Sequence, residues 1–169
     1  MTGQACGITA KVICDSLSPS GVRLTTMELN YHRFIHAEFM THRMFSRNAS
    51  SSRAIPIDKN IKEVLDNPAT PIHWGKNQAG MQARDEIEFP TIAEDIWRHG
   101  SDIAVDVAYQ LEDCELHKQI VNRVLEPFQW IKVIVTATEF TNFLKLREHK
   151  DAQPEMVLLA SKMREAMNE

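Results

Sequence analysis

The sequence is poor in the features that mark the commoner site chemistries. Its three cysteines, Cys6, Cys14 and Cys114, are odd in number, widely spaced and without a CxxC pair. That excludes a disulfide framework and a four-cysteine zinc site. Its six glycines form neither GxGxxG nor GxxxxGK[ST], so the dinucleotide fingerprint and the P-loop are both missing. No run approaches 18 uncharged apolar residues, so no helical membrane span is expected. The opening MTGQACGITAKVICD lacks the basic-then-apolar order of a secretory signal. Unpaired cysteines and no leader together predict a soluble protein of the reducing cytoplasm. The balance of 19 basic and 23 acidic side chains, a net charge of −4, argues against a general binder of nucleic acid or membrane surfaces.

What is present fits one globular domain covering residues 1–169. The composition, 43% hydrophobic and 25% charged, is that of an ordinary soluble core-forming chain. Ile8, Ala10, Val12 and Cys14 alternate, SLSPSG reads as a turn, and Val22 to Leu29 as a second strand, predicting a hairpin over 8–29. From Tyr31 the period becomes helical: Phe34, Ile35, Phe39, Met40 and Met44 suggest about four turns. SRNASSSRAIP reads as a loop. Asp58 is a candidate cap for a short helix reaching Leu65. A sustained stripe from Ile96 to Leu111 predicts a long helix belonging to the core. A shorter helix over 116–125 ends at Pro127, and Trp130 to Ala137 alternates as a strand. Thr141 and Asp151 are candidate caps for two final helices, the second with Pro154 in its first turn. Strands first and last with helices between predict an α+β fold, a central, mostly antiparallel sheet flanked by helices.

One segment departs from the mildly acidic average. Thr41 to Arg53, THRMFSRNASSSR, holds Arg43, Arg47 and Arg53 beside His42, four serines and no acidic residue. Guanidinium forks with short hydroxyl donors in a small-residue loop suit a phosphate-bearing ligand. On composition alone, a solvated basic loop is an equal reading.

The spacing HR-x-x-S-x-N-x-x-S-x-R, formed by His42, Arg43, Ser46, Asn48, Ser51 and Arg53, resembles the signature of the flavin-dependent thymidylate synthases. Glu139 to Met156, EFTNFLKLREHKDAQPEM, is similar to that family's C-terminal N-F-L-x-L-R segment. Arg123, four residues before Pro127, resembles its arginine ahead of a proline turn. The matched blocks cover 22–54 and 118–160, and 55–117 matches only loosely. The resemblance implies the thymidylate synthase-complementing fold and methylation of dUMP to dTMP, with methylenetetrahydrofolate as carbon donor, FAD as hydride carrier and NADPH as reductant. It implies a homotetramer with shared active sites, and no metal.

Residue by residue, the resemblance places Thr41, His42, Arg43, Ser46, Asn48 and Asn142 at FAD. It places Glu38, Ser50, Ser51, Ser52, Arg53, Arg123 and Arg147 at the nucleotide. Arg147 is the catalytic candidate: a fixed cation beside an imide stabilises its anion and so makes C5 nucleophilic. The chain also departs from the family pattern. Thr41 replaces an Arg, Ala49 a Glu, and Ala54 a Tyr. Glu38 stands where an amide is common, Glu126 where a Leu is, and Thr136 where a second flavin-contacting Asn often lies. These departures suggest a divergent, phage-type branch. Two alternatives follow, a related one-carbon transfer such as hydroxymethylation of a uracil deoxynucleotide, and an inactive nucleotide- or RNA-binding module. The chain is short for that family and stops at Asn168-Glu169 without a helix-ending signal, which suggests a trimmed form.

Other features have ordinary readings. His32 and His36 share an i,i+4 spacing that suits a metal, but no third ligand stands out. His36-Ala37-Glu38 imitates the H-x-E of zinc deaminases without their P-C-x-x-C. Arg147 beside Glu139 and Glu148 is compatible with simple ion pairing. His73 and Trp74 suit either a binding lip or a packed turn.

Overall fold

The structure is a computed structural model, and it describes residues 7–168. Cys6 lies outside the described residues; Cys14 and Cys114 are free and exposed. The chain divides into two compact units, residues 1–49 with 131–169, and residues 50–130.

The first unit is built on a four-stranded sheet whose strands lie in the order Thr9–Leu17 (β1), Arg23–His32 (β2), Trp130–Ala137 (β4) and Ser46–Ala49 (β3). β1 (Thr9–Leu17) and β2 (Arg23–His32) form the expected antiparallel hairpin. Its turn needs a residue with positive φ, and Gly21 supplies it at +83°. The Ser18 hydroxyl accepts from the Val22 amide at 2.9 Å to close the loop. Met27, Leu29 and Tyr31 alternate inward and are fully buried. β4 (Trp130–Ala137) coincides with its predicted span and buries Ile131, Val133 and Val135. The Thr26 and Thr136 hydroxyls meet at 2.9 Å, joining β2 to β4.

Three expectations change in this unit. The loop predicted over 46–56 contains an edge strand, β3 (Ser46–Ala49), antiparallel to Val133–Thr136 of β4. The four-turn helix from Tyr31 is instead the end of β2, a 3-10 turn (Arg33–Ile35) and a one-turn helix α1 (His36–Phe39). Arg47 explains the stop: its Nη1 donates to the carbonyls of Phe39, Met40 and His42 at 3.3, 3.0 and 2.8 Å. Those are the carbonyls a continuing helix would use for itself. Thr141 does not cap its helix, which begins at that residue with Phe140 at the cap position. In the helix Thr141–Arg147 the Glu139 carboxylate accepts from the Thr141 amide at 2.5 Å. The final helix, Pro154–Asn168, begins three residues after Asp151, at the proline. It packs on β1 and β2, burying Met156, Leu159, Ala160 and Met163.

The second unit holds three helices, α2 (Ile57–Asp66), α3 (Pro90–Asp113) and α4 (Lys118–Leu125), and a 3-10 turn (Glu126–Phe128). The helices Thr141–Arg147 and Pro154–Asn168 are therefore α5 and α6. Ile61, Val64, Val105, Ala108, Val121 and Leu125 form the second unit's core. Asp58 lies inside the first turn of α2, with Pro56 at the cap position. Of α3 only Ser101, Val105 and Ala108 are buried, while Ile96 and Ile103 stand 66% and 50% exposed. The predicted stripe is thus divided: Ala108 is buried in this core with Ala104 and Leu111 packed against it, while Ile96, Ile103 and Val107 are left exposed. Trp74 meets Trp97 edge-on at 6.3 Å, and the His73 Nε2 lies 3.0 Å from the Ala83 carbonyl oxygen. Those contacts fit a packed turn. Gly75 is required there, because a Cβ would stand 2.1 Å from that of Ala83. Among the described residues no helix is long and apolar enough to cross a membrane.

Candidate functional site

In the first unit, three predicted residues from separate elements come together. Arg147 ends α5, Glu38 lies in α1, and His42 follows in the turn held by Arg47. Arg147 Nε donates to His42 Nε2 at 2.8 Å, and its Nη1 forms an ion pair with Glu38 Oε1. The Arg147 side chain is 19% exposed, sheltered but reachable.

A guanidinium is always a donor. His42 must therefore accept at Nε2 and carry its proton on Nδ1. Burial, then the Arg147 and Arg47 charges, hold the His42 imidazolium below its usual pKa, which agrees with that neutral form. Aromatic rings fix the imidazole: Phe143 meets it edge-on at 4.8 Å. Phe143 in turn packs with Phe39 and Phe45 at 5.7 and 5.2 Å. Beneath them, the Tyr31 hydroxyl lies 2.8 Å from His36 Nδ1. Burial raises the Tyr31 pKa and lowers that of His36, with Arg33 and Arg47 adding to the latter. This pairing occupies one of the two histidines with metal-like spacing. Among the described residues no group of three or more potential ligands surrounds a metal position.

The remaining candidates in this unit are exposed: Thr41, Arg43, Ser46, Asn48 and Asn142. The Thr41 hydroxyl is turned back, donating to the Glu38 carbonyl at 2.7 Å. Thr136 is engaged by Thr26 within the sheet.

In the second unit, the serine–arginine segment is anchored from below. Ser52 is 3% exposed, and its hydroxyl donates to Glu126 Oε1 at 3.0 Å. Arg123 Nη1 donates to the same oxygen at 2.9 Å. One carboxylate therefore joins two predicted nucleotide residues. Ser50, Ser51, Arg53 and Arg123 are exposed, and the Ser51 Oγ accepts from the Arg53 amide at 3.3 Å.

Asn122, which the sequence reading passed over, sits beneath this segment at 0% exposure. Its Nδ2 donates to the carbonyls of Ser52 and Ile55 at 2.7 and 3.0 Å. The available signal was an amide among the buried positions Val121, Asn122 and Leu125 of a short amphipathic helix. An amide there requires backbone partners.

With these arrangements in view, the comparisons with known proteins are decisive on ancestry. The family model described as thymidylate synthase complementing protein matches residues 18–169. The chain belongs to that family. Among solved structures it is similar to a UMP/dUMP methylase, PolB from Streptomyces cacaoi, bound with 5-Br UMP. The TM-score is 0.77 at 17% identity, over 95% of this chain and 88% of that one. The same methylase bound with 5-Br dUMP gives 0.74 at 16% identity, over 95% and 89%. At such identity the likeness establishes the α+β fold. No curated protein matches the chain in sequence. The family match covers all the predicted site residues, and the segment 55–117 as well.

Proposed function

We propose that this member of the thymidylate synthase complementing family methylates C5 of a uracil deoxynucleotide, dUMP to dTMP, as a flavoenzyme. Methylenetetrahydrofolate is the one-carbon donor and NADPH the reductant. The observation that carries the proposal is the Arg147 cation, held between Glu38 and a neutral His42 and still accessible. Two of its five N–H donors are used, leaving three on one planar group for an anionic acceptor. The structural neighbours, a UMP/dUMP methylase bound with 5-Br UMP and with 5-Br dUMP, support a uracil nucleotide as the substrate class.

The donor set of the first unit fits FAD. Arg43 offers an exposed cation for a diphosphate, and Ser46, Asn48 and Asn142 offer exposed hydroxyl and amide groups for a polar ring edge. His42 completes the set with its Nδ1 proton as a fixed donor, and Thr41, whose hydroxyl proton is held by the Glu38 carbonyl, offers an acceptor oxygen. When bound, FAD supplies the hydride transfer that brings the added carbon to the methyl level. In the second unit the exposed Ser50, Ser51, Arg53 and Arg123 are assigned to the nucleotide, with Arg53 the principal phosphate cation, and the buried Ser52, held by Glu126, anchors their segment. Arg147 stabilises the imide anion, which raises electron density at C5 and prepares it to accept the carbon and lose its proton. The enzyme acts as a homotetramer with shared sites, in the cytoplasm of a bacterium or of a phage-infected host.

Purified protein should carry flavin absorbance and release tritium from C5-labelled dUMP. A colourless protein that cannot be reconstituted with FAD overturns the flavoenzyme reading. Arg53→Ala and Arg147→Ala should each reduce dUMP turnover by at least about tenfold, the equivalent of one lost charge-assisted contact. Wild-type activity in both would remove these residues from the site.

A further inference from the structure

Among the described residues, Glu38 is the acidic side chain in direct contact with Arg147. Its carboxylate is about one-third exposed and pairs with Nη1, while His42 takes Nε. A partly exposed pair of this kind has modest energetic weight of its own. This pair is different in consequence, because it restrains the guanidinium from α1 while α5 carries it. The other charged and titratable neighbours leave that contact alone. Arg47 engages backbone carbonyls, His36 faces Tyr31, and Glu148 at the end of α5 is paired with Arg164 of α6. Glu139 binds the α5 amide of Thr141.

We propose that Glu38 is the positioning residue for Arg147, and that its negative charge tunes how readily a uracil imide ionises beside that arginine. The inference rests on the assignment of Arg147 to the imide. Its logic is that one carboxylate has two separable effects. As a hydrogen-bond acceptor it aims the guanidinium. As a charge it offsets part of the field that favours an anionic ligand, and so raises the pH at which the imide loses its proton. A neutral amide at position 38 would keep the first effect and abolish the second.

The test uses fluorine NMR of 5-fluoro-dUMP bound to the full flavin-loaded chain, without the folate, so that no turnover occurs. The fluorine shift reports the N3 ionisation of the bound base. Glu38→Gln should lower the pH midpoint of that ionisation by on the order of one unit, the size expected when a like charge is removed nearby. Glu38→Ala removes the aim as well, and should lower kcat by about tenfold or more with a smaller change in KM, as expected when a transition-state contact is lost. Recovery of kcat in Glu38→Gln over Glu38→Ala identifies the positioning role. Arg147→Gln, which removes the cation, separates the two layers of the argument. If it leaves the midpoint unchanged, the assignment of Arg147 to the imide fails. If it moves the midpoint while both Glu38 variants match wild type, that assignment stands and the role given to Glu38 is refuted.

Discussion

Asn122→Ala is the perturbation whose size the structure constrains best. The side chain is fully buried and its amide donates to two carbonyls, of Ser52 at 2.7 Å and Ile55 at 3.0 Å. Each such bond has a net worth of roughly 1 kcal/mol, and a buried acceptor left unpaired costs roughly 1–3 kcal/mol more. The Ser52 carbonyl lies in a buried setting and bears that penalty; the Ile55 carbonyl is nearer solvent and can take water. In the other direction, the Asn122 Oδ1 is buried without a partner among the described residues, so its removal returns part of the loss. The sum is a destabilisation of about 2–4 kcal/mol, a large share of the 5–15 kcal/mol typical of a domain. Asn122→Asp should be at least as damaging, because it turns a carboxylate toward two carbonyl oxygens. Urea unfolding followed by circular dichroism and by tryptophan fluorescence would measure both. Binding of dUMP should weaken in parallel, since Ser52 loses the anchor of its backbone. A urea midpoint for Asn122→Ala equivalent to less than about 0.5 kcal/mol of destabilisation would refute the clamp and the reasoning from buried amides behind it.

Three further outcomes are expected. Arg47→Lys should destabilise by about 1–3 kcal/mol in urea, since an ammonium on a flexible stem cannot reproduce the guanidinium contacts to the carbonyls of Phe39, Met40 and His42. The lowered pKa values of His36 and His42 mean that the folded state favours their neutral forms. Their contribution is present above about pH 6.5 and is lost as the pH falls through their folded values. The melting temperature should therefore decline below about pH 6.5, and less steeply in His42→Gln, which keeps an acceptor for Arg147. For the proposed homotetramer, the exposed side of α3 bearing Ile92, Ile96 and Ile103 is the surface we propose for subunit contact. Ile96→Glu with Ile103→Glu should yield a smaller species in sedimentation with an unchanged dichroism spectrum; an unchanged sedimentation coefficient excludes that face.

Elements whose stability comes from burying one face were legible in the sequence. β4 alternates cleanly because Val133 and Val135 point into the core, and the β1–β2 hairpin is marked by its glycine turn. β3 was invisible because Ser46, Arg47, Asn48 and Ala49 carry no apolar alternation. Its backbone pairing with Val133–Thr136 holds it instead. The early end of α1 depends on Arg47, a residue beyond the helix, so no local propensity reports it. In α3 the periodicity gave the helix and, through Ala104, Ala108 and Leu111, its core side, but not that Ile96, Ile103 and Val107 of the same run are left exposed, which only packing decides.

The site divides along similar lines. The motif around Thr41 to Arg53 named His42, and the Glu139–Met156 block named Arg147, as partners of a ligand, and sequence order could not show that they touch each other. The Glu38–Arg147 pair joins positions 109 residues apart. Glu126 stood out in the sequence only as a departure from a family pattern. In the structure it bonds both Ser52 and Arg123, giving that departure a physical role.

The central claim is one-carbon transfer to C5 of a uracil nucleotide, and the mass of the product tests it most directly. Flavin-loaded protein would be incubated with dUMP, NADPH and methylenetetrahydrofolate carrying carbon-13 in its methylene group. The account predicts dTMP with the labelled carbon in its methyl group, formed only when all components are present. Recovery of unlabelled dUMP alone, with intact nucleotide binding, would contradict it.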